Sequence, residues 1–111
     1  MSNNYGKNAP LSYNKYLRVP ELIELQTCLS APLHHDELLF ITVHQAYELW
    51  FKQILHEIDA AIRLMNEDRA VESTRAIRRV VEIEKLLIQQ IHITCAHAIC
   101  GLVEARLFPR R

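Results

Sequence analysis

A chain of 111 residues has room for one domain. Half of its residues are hydrophobic and 23% are charged, which excludes a disordered polymer. Thirteen Lys and Arg balance thirteen Asp and Glu, and a net charge of zero argues against nucleic acid or an anionic membrane as the main partner.

With only 2 glycines, Gly-rich phosphate loops and tight hairpins are disfavoured and helices are expected. Residues 1–12 are polar, with Gly6 and Pro10, and read as a flexible N-terminal arm. Pro20 suits the first turn of a helix, where its missing N–H costs nothing. Leu22, Leu25 and Leu29 form one apolar stripe, so the spacing predicts a short helix over 20–29. Ser30-Ala31-Pro32-Leu33 ends it.

From Asp36 to Met65 there is neither Pro nor Gly. This segment predicts one helix of about 30 residues, roughly 45 Å long. His35 or Asp36 would cap it, and Asp36 and Glu37 place negative charge in its first turn. Its first half is apolar nearly all round, from Leu38 to Phe51, and is expected to be buried by several neighbours. Its second half narrows to Ile54, Ile58, Ile62 and Met65. After a turn at 66–68, a third helix is expected over 70–91, with a stripe of Ile77, Val80, Leu87 and Ile91 widened by Val81, Ile83 and Leu86. Its charges read as exposed-face pairs: Glu82 with Arg78 and Arg79, and Glu72 with Arg75. The tail changes character, carrying Arg106, Arg110 and Arg111 against Glu104 alone.

Three cysteines, an odd number, fit a reducing compartment and a cytoplasmic location. No secretory signal is visible, and no apolar run reaches the roughly 20 residues that span a bilayer.

Several residues can carry chemistry. Phe40, His44 and Glu48 are spaced to share one helix face. His44 there can be a base, a hydrogen-bond partner or a metal ligand, or a core histidine satisfied by Glu48 or backbone. His34, His35, Asp36 and Glu37 are adjacent and converge poorly, so a cap with solvated charges fits them better than a metal cluster. No Glu-x-x-His occurs, which weighs against a carboxylate di-iron bundle. His92, Cys95, His97 and Cys100 would have to form a zinc site from one short segment, an unfavourable arrangement. Metal ligands are therefore assigned to none of these residues. Tyr13 and Tyr16 either cover the short helix or dock onto something else.

The run His34-His35-Asp36-Glu37-Leu38-Leu39-Phe40-Ile41-Thr42-Val43-His44-Gln45-Ala46-Tyr47-Glu48-Leu49-Trp50-Phe51-Lys52 resembles the N-terminal signature of the tryptophan 2,3-dioxygenases. Tyr13-x-x-Tyr16-Leu17 and the stretch from Arg79 to Gln90 resemble the same family, so the resemblance covers about residues 13–91. It implies an all-α, haem-dioxygenase-type helical bundle, of which this chain would hold an N-terminal fragment with one long buried helix. The implied activity is haem-dependent insertion of O2 into L-tryptophan, giving N-formylkynurenine, the first step of tryptophan catabolism. The implied assembly is a homotetramer.

Carried over by residue, the resemblance makes Phe40 the aromatic that packs on the indole and His44 the histidine that hydrogen-bonds the indole N–H. Phe40, Ile41, Thr42, Val43 and His44 form the substrate-contacting turn. Tyr13, Tyr16 and Leu17 match an arm that closes a neighbouring subunit's indole pocket. The family's carboxylate-binding arginine has no counterpart in the tail, and Arg106 does not sit in that motif. The haem's proximal ligand would lie beyond this chain. Residues 92–111 read as a non-matching tail, the pattern expected of a shifted reading frame or a truncated product. Activity of the 111-residue chain by itself is therefore not implied. The alternative function is a non-catalytic helical interaction or oligomerisation fragment.

Overall fold

A computed structural model describes residues 10–95. Four helices follow one another: α1 (Tyr13–Leu17), α2 (Val19–Leu22), α3 (Glu37–Asn66) and α4 (Ala70–Cys95), and the described residues hold no strand. The all-α class follows directly.

The short N-terminal helix differs from its expected form. Ser12 caps α1, its side chain accepting from the Lys15 N–H at 3.4 Å. Arg18 then turns left-handed at φ 54°, which separates α1 from α2. Pro20 does stand in the first turn of α2, but that helix stops at Leu22. The stripe Leu22, Leu25 and Leu29 has nothing to bury it, and all three leucines are exposed. Periodicity alone does not make a helix when no surface receives the stripe. Residues 23–36 instead form an irregular connector.

Helices α3 and α4 form an antiparallel hairpin. Three polar pins record its register. Ser73 Oγ donates to the Ala61 carbonyl at 3.1 Å, Arg79 reaches Glu57 at 2.8 Å, and Tyr47 Oη donates to the Leu87 carbonyl at 2.7 Å. As positions fall along α3, their partners rise along α4. The turn between the helices is a Schellman closure: Arg69 N–H donates to the Leu64 carbonyl at 2.9 Å and Asp68 N–H to the Met65 carbonyl at 3.1 Å. Asp68 supplies the left-handed residue, with φ 57°.

The seam of α4 is Ser73, Ala76, Val80, Ile83 and Leu87, all buried, at alternating steps of three and four. Of the expected stripe, Val80, Ile83 and Leu87 are correct. Ile77 and Ile91 lie outside the seam and are exposed. The small residues Ser73 and Ala76 take the seam because they let the two backbones approach. The expected charge pairs also change partners. Arg79 binds Glu57 across the hairpin, Glu82 pairs with Lys85, and Glu72 pairs with Arg69.

The long helix is less buried than its composition implies. Only Glu37, Val43, Glu57 and Ala61 are buried in α3. Among the described elements it packs against α4 alone, so Leu38, Leu49 and Phe51 remain exposed. One neighbour covers one stripe, and the remaining apolar faces stay open.

Candidate functional site

The first turns of α3 bring Phe40 and His44 together. Their spacing of four places one ring above the other. The ring centroids are 4.1 Å apart and the planes are tilted by 31°. His44 Nδ1 lies 2.7 Å from the Phe40 carbonyl oxygen. A carbonyl only accepts, so Nδ1 carries the proton in this bond. In the neutral ring Nε2 then keeps its lone pair, and the exposed His44 ring can offer it to a donor. A half-buried aromatic face beside an acceptor nitrogen suits a planar heterocycle bearing an N–H. Glu48, on the same face, is exposed and holds no recorded bond to His44.

The rest of the 40–44 turn divides by direction. Ile41 is half-buried and Thr42 exposed, whereas Val43 is 5% exposed and belongs to the hairpin core. Tyr13 and Tyr16 stand 75% and 69% exposed on α1, and Leu17 is exposed as well. Helices α1 and α2 contact each other, and neither contacts α3. The tyrosines therefore do not cover the short helix, and within one chain they do not meet Phe40 and His44.

Two residues organise this region in a way the sequence did not indicate. Glu37, expected as a solvated charge, has 0% exposure. Its carboxylate accepts the Leu29 N–H at 2.7 Å, the Ser30 N–H at 3.0 Å and the Ser30 hydroxyl. The Ser30 hydroxyl foremost, then the Leu29 N–H, hold its pKa below the usual carboxylate range against the opposing effect of burial. Gln45 Nε2 donates to the Leu25 carbonyl at 3.0 Å, and Gln45 Oε1 accepts from Gln26 Nε2 at 2.8 Å. Asp36 is the N-cap by position, but its side chain makes no capping bond. His34 Nδ1 instead accepts the Asp36 N–H at 3.2 Å.

No group of three His, Cys, Asp or Glu side chains converges on a metal site among the described residues. The set His92, Cys95, His97 and Cys100 lies in part outside the described residues. Two open recesses flank Trp50. One, of about 360 Å³, is lined by Ala46, Leu49, Trp50 and Gln53. The other, of about 390 Å³, adds Arg79, Glu82, Ile83 and Leu86 to Trp50 and Gln53. Neither contains a histidine. No helix among the described residues is long and apolar enough to cross a membrane.

Comparison with known proteins gives this geometry a family. The sequence model described as tryptophan 2,3-dioxygenase matches residues 1–100, reaching beyond 13–91 at both ends. A tryptophan 2,3-dioxygenase of Nocardioides sp. is 46% identical over 101 residues, covering 84% of this chain and 38% of that protein. The enzyme of that name from Herpetosiphon aurantiacus is 46% identical over 83 residues, covering 75% of this chain and 32% of its own length. The one from Dictyostelium discoideum is 42% identical over 89 residues, covering 73% and 22%. The chain spans about a third of the length of the first two of these relatives.

Proposed function

The chain belongs to the tryptophan 2,3-dioxygenase family, and from that premise we propose that it carries the indole-recognising part of a haem-dependent dioxygenase that converts L-tryptophan and O2 to N-formylkynurenine. The observation that carries this reading is the bond from His44 Nδ1 to the Phe40 carbonyl. It fixes the tautomer that leaves Nε2 as an acceptor for the indole N–H. Phe40 supplies an aromatic face for the ring itself. A site that hydrogen-bonds an N–H rejects analogues lacking it, because the acceptor is then left unpaired. His44 orients the substrate in this reading.

Haem, when bound, supplies the oxygen chemistry. The described residues contribute the orienting contacts in this reading, and no step is assigned through the haem. Tyr13, Tyr16 and Leu17 are the arm that closes the indole pocket of a second copy, in an assembly that the family resemblance makes a homotetramer. Their exposure and their separation from α3 support that role.

A haem titration with L-tryptophan tests the reading. The expected result is a Soret band that shifts with L-tryptophan in the parent protein and not in His44→Ala. A band indifferent to tryptophan in the parent would overturn it. A second reading, a helical interaction module, rests on the exposed apolar faces of α3. It expects association without any haem band.

A further inference from the structure

The connector between α2 and α3 is attached in an unusual way. Leu25 and Leu29 point outward, 62% and 72% exposed. Gln26, Cys28 and Ser30, which alternate with them, are the half-buried residues. An extended segment that turns its leucines to solvent and its polar side chains inward is not held by apolar burial. Polar tethers take that place. Gln45 grips the upstream half through the Leu25 carbonyl and Gln26, and Gln26 Nε2 also donates back to the Leu22 carbonyl at 2.9 Å. Glu37 grips the downstream half through Leu29 and Ser30. Ser30 Oγ in turn accepts the His34 N–H at 3.0 Å. Glu37 and Gln45 are eight residues apart on α3, so they lie on one face. Gln45 directly follows His44.

We propose that Glu37 and Gln45 are positioning residues: they clamp residues 25–30 of the connector to the first three turns of α3 and so set where the Tyr13–Tyr16–Leu17 arm stands relative to the Phe40–His44 face. The consequence for substrate rests on the function proposed above; the clamp itself does not. With α1 and α2 free of contact with α3, the connector is the path by which the arm's direction is defined. Both tethers sit within the helical stretch that carries the indole-facing pair. The arm and His44 are therefore registered to one rigid element.

Spin labels at Asn14→Cys and Lys52→Cys test the clamp in the full chain, with Cys28, Cys95 and Cys100 replaced by Ser. The parent should give one narrow distance distribution. Gln45→Ala and Glu37→Ala should each broaden it while far-UV helicity stays unchanged. If Glu37→Ala also unfolds the hairpin, Gln45→Ala still decides the matter. A broad distribution in the parent, or an unchanged one in Gln45→Ala, overturns the proposal. In the haem-loaded protein, Gln45→Ala should raise the KM for L-tryptophan by roughly fivefold, the effect of losing about one hydrogen bond, with kcat nearly constant. It should add nothing in a Tyr16→Ala background, because the two would act through the same arm. Broadening without a change in KM keeps the clamp and removes the arm from the substrate site. A change in KM without broadening removes the clamp.

Discussion

His44 is defined as an acceptor by its neighbour one turn back. Removing the ring should cost L-tryptophan binding about 0.5–1.5 kcal/mol, the net value of a typical hydrogen bond. An indole methylated on nitrogen should lose far less, having no proton to give. Titrating both ligands against the parent and His44→Ala checks this, and equal losses would remove the acceptor role. Glu37 makes a prediction in pH. Its carboxylate is favoured by the Ser30 hydroxyl, then the Leu29 N–H, against burial, with the Ser30 N–H also favouring ionisation. Its folded pKa therefore lies below its unfolded one. The stabilisation is complete above the unfolded value, about 4.3 for a glutamate, and is lost as pH falls through the lowered folded value. Leu29 and Ser30 amides should lose their exchange protection over that acid range ahead of the hairpin amides. Glu37→Gln should abolish this pH dependence, and protection that is flat across the range in the parent would contradict it.

At the scale of elements, the long helix and its partner were legible in the sequence to within a few residues. A run of thirty residues without Pro or Gly has few alternatives to a helix. The end of α2 at Leu22, short of the expected 20–29 helix, was not legible, because a leucine stripe does not report whether a surface exists to receive it. Nor was the seam of α4. Ile77 looks like core and Ala76 does not, yet close backbone approach selects Ala76 and Ser73. The burial of Glu37 was not legible because its partners, Leu29 and Ser30, precede it through a connector that follows no helical or strand period. Phe40 and His44 were expected on one helix face because their spacing is local, and their rings do lie together there. The hairpin's pins give measurable stabilities. Tyr47→Phe deletes the bond to the Leu87 carbonyl and should cost about 1 kcal/mol. Asp68→Gly relieves the left-handed residue and should be stabilising by about 0.5 kcal/mol, since the cost of φ above zero outweighs the entropy glycine adds to the unfolded chain. Urea titration of both variants should show midpoints moving in opposite directions.

Over the whole molecule, the radius of gyration is 18.8 Å, whereas a compact domain of this length has about 13 Å. The difference fits one long hairpin on which, among the described residues, no further layer is packed. Phe51, Leu55, Ile62 and Met65 line one exposed stripe of α3, and Leu38 and Leu49 are exposed on another face. A contiguous apolar stripe on a 30-residue helix is rarely left in water. In the assembly proposed above, a second copy is the occupant to test for this stripe. The protein should therefore sediment above its 13.0 kDa monomer mass, with a weight that rises with concentration. Leu55→Glu with Ile62→Glu should shift it towards monomer while leaving the opposite, α4-facing seam and its helicity intact, because neither side chain belongs to that seam. A monomer at every concentration would mean that the stripe is not a self-association surface. An oligomer indifferent to the two glutamates would place the contact elsewhere, with the arm of α1 as the next surface to vary.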